Sequence, residues 1–308
     1  MSKETTDCRN FRMLYYEQLG LRNVDQKKAL EVLLNEDPLD QEKLKIFSQQ
    51  FILPAVLRPV VWKVLLNITP IHKESMEFVV RQRQGQYNDL KQALATMKMI
   101  SIDPDLHEEN QPHKTIVLMY LLENGMLSVL HKNIRKKDGH KVFVLQSISK
   151  IVCEIIHSEC DAYWISKYMF KAQEQFISLF VRLPKYVKYY LQLEDKRLFE
   201  HLCEIQLFKM LPYDKWFQTY FAPVFSESLV YLEKVLDKLV AGSCNILVFV
   251  FVAMLLTFSI KLKEVKSSEE ALKIISCLNA DAGQNVIDKT MELWEQHRKS
   301  ISVELGCH

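Results

Sequence analysis

The sequence has 308 residues, of which 48% are hydrophobic and 25% are charged, so it has the composition of a folded globular protein rather than a disordered chain. Its length suits one large domain or two modest ones. Forty basic residues nearly balance 38 acidic ones, and the net charge of +2 gives no electrostatic case for binding to nucleic acid or to an acidic membrane surface.

Apolar residues recur at helical spacing along most of the chain, and a low glycine content with many Leu, Lys, Glu and Gln favours an all-helical fold. The predicted helices, in chain order, are 10–20, 26–35, 41–50, one that begins between 54 and 59, 74–99, 115–130, 142–157, 160–181, 184–191, 196–208, 213–221, 226–240, 244–260, 268–278 and 283–299. Prolines and acids mark 100–114 as a loop, and a basic, polar composition with Asp-Gly marks 131–141 as another. Ser267, with Glu270 three residues later, predicts a capping box.

The chain contains no internal repeat and no stretch rich in Pro, Gly or Ser that would separate independent domains. We therefore predict one large helical bundle whose length permits two sub-bundles. The predicted parts are N-terminal helices packed on the domain (1–50), the central domain (51–260), C-terminal helices of the same domain (261–299) and a flexible tail (300–308).

The fourth helix begins in the segment LRPVVWKVLL (57–66). Pro59 is tolerated in the first turn of a helix, where its missing N–H costs no intrahelical hydrogen bond. Arg58 and Trp62 are four residues apart and therefore point the same way from the helix. We interpret both as structural: a buried tryptophan with the arginine either stacked on its ring or paired with an acid.

Tyr87, Leu90, Leu94 and Met97 form an apolar stripe on the helix predicted over 74–99. Burial in the core explains such a stripe, and so does a groove that accepts a partner helix. Both alternatives stay open here, and the four residues are candidates for partner binding.

The stretch 239–260 contains no charged residue and no histidine, which is one property of a membrane-spanning helix. A span needs about 20 mostly apolar residues, whereas polar residues and a glycine interrupt 242–245 and the strongly apolar run, 246–256, is shorter than a span. A short helix that is apolar on all sides is typical of the centre of a large protein. We therefore expect a core helix and no membrane span; the alternative is an integral membrane protein anchored by this stretch.

The sequence offers no motif for a cofactor or a metal. It contains neither GxGxxG nor GxxxxGK, and its nine histidines are isolated, with no HExxH. Its seven cysteines form no CxxC pair and the N-terminus has no apolar signal core, so we expect a reduced, cytoplasmic compartment. Cys153 and Cys160 lie near His157 on predicted helices, and we interpret them as core cysteines rather than nucleophiles.

Three blocks, in order, carry a resemblance to a known family. FILPAVLRPVVWKVLL (51–66) has an arginine four residues before a tryptophan, followed by Leu-Leu. CDAYWISKYMF (160–170) has an acidic-Ala-aromatic-Trp segment that ends at Trp164. LPYDKWFQTYF and the residues up to 258 place Trp216 at a matching position. These blocks resemble the TBC-domain family, and the resemblance implies an all-α TBC-type domain in two helical sub-bundles over 51–260, with both tryptophans as structural residues.

Active TBC-domain proteins accelerate GTP hydrolysis on Rab GTPases with an arginine from I-x-x-D-x-x-R and a glutamine from Y-x-Q. The best match to the first motif is ISIDPDL (100–106), where Leu106 stands at the arginine position. In the region that matches the second motif Gln146 is present, but Val144 stands at the tyrosine position. Arg135 in the basic loop is a further arginine that could substitute. The resemblance therefore implies a degenerate domain that is not an enzyme; an active GTPase-activating protein for a Rab-family GTPase is the alternative.

The similarity continues outside the shared domain, at 10–51 and at VIDKTMELWEQH (286–297). These segments resemble the branch of the family that serves as a subunit of the tuberous sclerosis complex. The resemblance implies that the chain binds the coiled coil of hamartin and, through it, tuberin, and so supports negative regulation of mTOR signalling through Rheb. It also implies a cytoplasmic protein that is peripheral at lysosomal or vesicle membranes, with a Rab-family GTPase as a further possible partner.

Overall fold

A computed structural model describes residues 22–101, 111–127 and 139–305 of the chain. Within these ranges the secondary structure consists of α-helices and one 3₁₀ turn, and none of the described residues belongs to a β-strand. The prediction of an all-α fold is therefore confirmed. The helix predicted over 10–20 lies outside the described residues.

The first seven helices are of unequal length, and the fourth and seventh are the longest of them. They are α1 (Arg22–Asn35), α2 (Gln41–Gln50), α3 (Arg58–Leu65), α4 (Lys73–Thr96), α5 (Pro112–Glu123), α6 (Gly139–Ile155) and α7 (Glu159–Phe180).

The second half contains shorter helices and a long final one. They are α8 (Leu183–Glu194), α9 (Lys196–Glu204), α10 (Leu207–Met210), α11 (Tyr213–Gln218), a 3₁₀ turn (Leu229–Leu232), α12 (Glu233–Val240), α13 (Ile246–Thr257), α14 (Ser259–Glu264), α15 (Ser268–Ile275) and α16 (Ala280–Leu305).

The helices form two sub-bundles. In the first, α4, α5, α6 and α7 pack on one another, and in the second, α8, α12 and α16 surround α13 while α9, α10, α14 and α15 pack at one side. The two are joined where α7 contacts α8 and α11, where the 3₁₀ turn contacts α6, and where α12 contacts α2 and α3. This last contact contains the site described below.

Helix α13 occupies the centre of the second sub-bundle. Every side chain from Ile246 to Leu255 is buried, so the helix presents apolar surface in all directions to α8, α12 and α16. The helix has 12 residues, and no helix in the described part of the chain has the length and apolar character needed to cross a membrane. The expectation of a core helix in this stretch is confirmed.

Side chains at helix starts explain several of the boundaries. The side chains of Asp40, Ser158 and Asp195 accept a hydrogen bond from a backbone N–H in the first turn of α2, α7 and α9, respectively. Ser267 does the same for the N–H of Glu270 at the start of α15, which is one of the two hydrogen bonds of the predicted capping box.

Some of the predicted helix boundaries are wrong. The single helix predicted over 196–208 is divided between α9 and α10, because Gln206 adopts a left-handed conformation with φ of 56°. The predicted flexible tail beginning at residue 300 is also wrong for its first part, because α16 extends to Leu305 and buries Ile301. An apolar side chain that is fully buried stabilises this last turn.

Two glycines in helices give opposite expectations for replacement by alanine. Gly85 lies inside α4 with open space around the position of a side chain, so Gly85→Ala should stabilise the protein by about 1 kcal/mol through helix propensity. Gly283 lies in α16, where an added Cβ would meet the Oγ atom of Ser228 at 2.2 Å. Gly283→Ala should therefore lower the free energy of unfolding by about 1–3 kcal/mol.

Urea denaturation followed by circular dichroism measures both variants against the wild type. Each variant is the control for the other, since the same methyl group is added in a helix in both cases. Equal effects of the two substitutions would contradict the close approach of α16 to Ser228.

Candidate functional site

The contact between α3 and α12 is built around the buried carboxylate of Asp237. Arg58 donates to it from Nε at 2.9 Å and from Nη2 at 3.4 Å, and Trp62 donates from Nε1 at 2.9 Å. The backbone N–H of Leu53 adds a fourth hydrogen bond at 3.1 Å. The remaining donors of Arg58 bind Glu233 Oε2 and the carbonyl of Leu53, both at 2.7 Å.

Burial raises the pKa of Asp237 above its ordinary value, and the charge and hydrogen bonds of Arg58 oppose that shift. Four donors around one carboxylate compensate for its removal from water, which is the condition for a buried ion pair to be tolerated. We expect the pair to hold α3 and α12 in one relative position.

Lys238, the next residue of α12, fixes the end of α2 in a similar way. Its ammonium group is buried and donates to the carbonyl of Ser48 at 2.6 Å and to the carbonyl of Phe51. These carbonyls lie at the C-terminal end of α2, where backbone acceptors have no partner within the helix. Burial lowers the pKa of Lys238 to about 8. Lys238 and Asp237 therefore bind the two ends of the segment that connects α2 to α3.

The structure places Arg58 and Trp62 as neighbours that share one acceptor. Of the two alternatives left open by the sequence, pairing of the arginine with an acid is the observed one. Asp237, Glu233 and Lys238 were not predicted as site residues. The sequence does mark two of them, because the Asp-Lys pair in VLDKLV (235–240) places charged residues within the apolar stripe of a short helix.

Trp164 of α7 is buried, with a cation close to its ring on two sides. The guanidinium carbon of Arg83 lies 4.4 Å from the ring centroid and the Nζ atom of Lys167 lies 4.6 Å from it. The indole N–H donates to the backbone carbonyl of Arg83 at 3.1 Å. The two contacts with Arg83 attach α4 to α7, whereas the contact with Lys167 lies within α7, and cation–π contacts of this kind contribute about 0.5–2 kcal/mol each.

Lys167 also links α7 to α5. It donates to Glu123 at 2.5 Å, and the hydroxyl of Tyr163 donates to the other carboxylate oxygen of Glu123 at 2.7 Å. Burial raises the pKa of Glu123, but the hydrogen bonds from Lys167 and Tyr163 outweigh burial and the net direction is downward. The carboxylate is therefore ionised and paired at neutral pH.

Trp216 is buried in α11, within an aromatic cluster of the second sub-bundle. Its ring centroid lies 5.3 Å from that of Phe251 on α13 and 6.1 Å from that of Phe221. Phe217 packs on the same two phenylalanines. The indole ring thus contributes apolar contact area at the side of α13.

The stripe on α4 is only partly available to a partner. Tyr87 and Leu94 are buried against the first sub-bundle, so the interpretation of these two residues as a partner surface is wrong. Leu90 and Met97 are half-buried, and Leu90 packs against the core. The stripe is therefore chiefly a core face, and an exposed surface for a partner has to lie elsewhere on the helix.

The positions that match the two catalytic motifs are only partly described. Leu106 and Arg135 lie outside the described residues. Val144 is buried in α6, and Gln146 is half-buried two residues further along the same helix. Among the described residues, Arg58 is committed to Asp237 and Glu233, and Arg83 lies over the ring of Trp164. Both of these guanidinium groups serve the packing of helices.

An all-α domain in two sub-bundles matches a known class. The model of the Rab-GTPase-TBC domain family matches residues 55–263. The chain therefore belongs to the Rab-GTPase-TBC domain family. A crystal structure of the Ypt/Rab-GAP domain of Gyp1p has the same fold, with a TM-score of 0.54, 12% sequence identity and coverage of 89% of this chain and 99% of that one.

Within the family, the chain is similar over nearly its whole length to proteins named TBC1 domain family member 7. The human protein is 40% identical over 291 residues, which is 94% of this chain and 95% of the relative. The Xenopus tropicalis and Danio rerio proteins are 38% and 34% identical over 290 residues, with the same coverage. The similarity thus extends beyond the domain itself to helices on both sides of it.

Substitution of a residue of the ion pair at the α3–α12 contact should destabilise the protein more than substitution of any other single polar residue. Arg58→Leu leaves the buried Asp237 carboxylate without its cation, and Asp237→Leu leaves Arg58 with Glu233 as its acidic partner while Trp62 Nε1 and the N–H of Leu53 lose their acceptor. Either substitution breaks the buried pair and should lower the free energy of unfolding by about 3–5 kcal/mol. The double variant should be less destabilised than the sum of the two, because neither charge remains. Urea denaturation gives all three values.

Arg81→Leu is the matched control, because Arg81 pairs with Glu77 in α4 with both side chains largely exposed, at 70% and 85%. It should change the free energy of unfolding by less than about 1 kcal/mol. A loss of the same small size for Arg58→Leu would contradict the role given to the buried pair.

Proposed function

We propose that this chain is a non-catalytic adapter of the tuberous sclerosis complex that binds the C-terminal coiled coil of hamartin. Through hamartin it is joined to tuberin, whose own GTPase-activating domain acts on Rheb, and it thereby supports the restraint of mTOR signalling. Membership of the Rab-GTPase-TBC domain family and the similarity to TBC1 domain family member 7 support this proposal. On this view the protein works in the cytoplasm and is brought to lysosomal or vesicle membranes by its complex.

The observation that carries the binding role is the incomplete cover of the first half of α4. The inward stripe begins with Met76 and Val79, which are only half-buried, whereas its continuation at Tyr87 and Leu94 is buried. On the same side of α4, Val80 is 44% exposed. We call Met76, Val79 and Val80 the open α4 segment.

A helix from a partner is the kind of structure that the open α4 segment accommodates. Apolar side chains that stand out from a rigid helix pack between those of a second helix laid alongside it. A coiled coil has apolar positions every 3.5 residues, and those at its edge can extend its seam to a third helix. Exposed polar residues of α4, such as Glu77 and Arg81, flank the segment and supply a polar rim.

The adapter role includes the absence of GTPase-activating catalysis. A fixed arginine stabilises the negative charge that spreads over the transferred phosphoryl group, and it accounts for roughly 10³–10⁵ in rate. Leu106 stands at the position of that arginine, and its side chain has no charge and no hydrogen-bond donor. Val144, at the position of the motif tyrosine, is a buried apolar residue of α6.

The second candidate function is an active GTPase-activating protein for a Rab-family GTPase. Family membership favours it, since the fold is shared with a structure titled as a Ypt/Rab-GAP domain. This function requires a catalytic arginine at a position other than 106, and Arg135 is the arginine that the sequence offers near the matched motifs.

The first prediction concerns the partner surface. Purified full-length protein should bind a fragment containing the C-terminal coiled coil of hamartin, and Val79→Asp combined with Val80→Asp should weaken binding at least about 30-fold. The reason is that two carboxylates would be buried without partners in an apolar contact. Isothermal titration calorimetry measures the dissociation constants.

Val32→Asp on α1 is the matched control, because Val32 is 65% exposed and lies outside the open α4 segment. It should bind with wild-type affinity. Normal binding by the double variant would place the interface elsewhere on the molecule, and no binding by the wild type would remove the adapter proposal itself.

A second prediction concerns catalysis. Single-turnover GTP hydrolysis by a panel of Rab GTPases should not be accelerated more than about 10²-fold by the wild-type protein, since a larger effect requires a positioned arginine. Acceleration beyond that value, lost on replacement of Arg135 by alanine, would establish the second candidate function. A TBC-domain protein with intact I-x-x-D-x-x-R and Y-x-Q motifs is the positive control.

A further inference from the structure

The first sub-bundle contains a cavity of about 280 Å³ between α4, α5, α6 and α7. Its floor is formed by buried apolar side chains, Ile116, Met119, Ile156 and Ala162. Exposed residues, among them Pro112 and Glu159, line its outer side and give access from solvent. The cavity is not part of the open α4 segment, because its α4 residues come from the other half of that helix.

The volume and lining of the cavity suit a small organic molecule. Ligand pockets are typically lined by apolar side chains with a few converging polar groups. An apolar cavity of about 150 Å³ in another protein binds benzene, so a cavity roughly twice as large accommodates a molecule with two fused rings. Ile116 and Met119 come from successive turns of α5 and present a continuous apolar wall of suitable length.

The polar lining of the cavity includes a preformed cluster with no net charge, and Ser101, Thr115 and His157 line the cavity beside it. The hydroxyl of Tyr87 and the ammonium group of Lys91 both donate to Glu159 Oε2 at 2.6 Å. Lys91 and Glu159 form an ion pair, so the cluster has no net charge. Cys153 also lines the cavity, and burial raises the pKa of its thiol to about 12, so the thiol is neutral as well.

This cluster discriminates among ligands by their charge. A carboxylate would meet Glu159, and an amine would meet Lys91. A neutral hydroxyl can accept a hydrogen bond from the ammonium group and donate one to the carboxylate. It therefore satisfies both members of the pair without separating them, and the remainder of the ligand occupies the apolar floor.

We propose that the cavity between α4 and α7 is a binding site for a small, neutral, largely apolar molecule with two fused rings and one hydroxyl group. The hydroxyl binds both members of the Lys91–Glu159 pair from the side that faces the cavity, and the rings pack on Ile116, Met119 and Ala162. The site is independent of the adapter role, since it uses none of the residues of the open α4 segment.

The test uses the full-length protein and 2-naphthol as the probe. Methyl NMR of the protein should show shifts at Ile116, Met119 and Ile156 that saturate with a dissociation constant below about 1 mM. The anion 2-naphthoate and the cation 2-naphthylmethylammonium have the same rings and should bind at least about tenfold more weakly. Equal binding of the charged probes would overturn the role of the Lys91–Glu159 pair.

Ala162→Leu is the variant that tests the place of binding. The larger side chain fills part of the cavity and should weaken 2-naphthol binding at least about tenfold, while urea denaturation shows whether the variant remains folded. Unchanged affinity in the folded variant would overturn the proposal. Absence of methyl shifts in the wild type would do the same, since it would mean that the chain itself fills the cavity.

Alkylation of the cysteines gives a second measurement that needs no substitution. Saturating 2-naphthol should slow the reaction of Cys153 with N-ethylmaleimide at least about threefold. Cys203 is exposed and distant in sequence from the cavity, so its rate should not change and it serves as the internal control. Equal rates for Cys153 with and without 2-naphthol would contradict binding at this site.

Discussion

A single buried carboxylate holds α3 against α12 at one of the contacts between the two sub-bundles. Asp237 accepts hydrogen bonds from Arg58, Trp62 and the backbone of Leu53, and these donors are more than 170 residues away from it in the chain. Because each donor satisfies the same two oxygens, a shift of α3 against α12 would leave a charge in the interior without a partner, at a cost of several kcal/mol.

The helices were largely predictable from the sequence because their signals are local. Apolar spacing, prolines in first turns and capping side chains act within four or five residues, and they placed α2 without error and most others within a few residues. The left-handed residue Gln206 and the burial of Ile301 have no such local signal. The burial of Ile301 depends on residues distant in the chain, and nothing in the sequence around Gln206 marks a left-handed residue.

The candidate site was only half predictable for the same reason. Spacing placed Arg58 and Trp62 on one face of a helix, but it contains no information about which of 38 acidic residues they meet. The stripe on α4 shows a related limit. Its apolar residues recur at the same spacing along the whole helix. Packing by other helices buries Tyr87 but leaves Met76 half-buried.

The apolar surface of α13 is incompletely covered while the protein is being synthesised on the ribosome. The buried surface of this helix includes the contact with α16, which is synthesised after it. Until residues 280–305 have left the exit tunnel, the side of this apolar helix that α16 covers remains open to water and to other nascent chains. A product shortened by premature termination before α16 would therefore present that surface permanently, and we expect chaperones and proteases to recognise it.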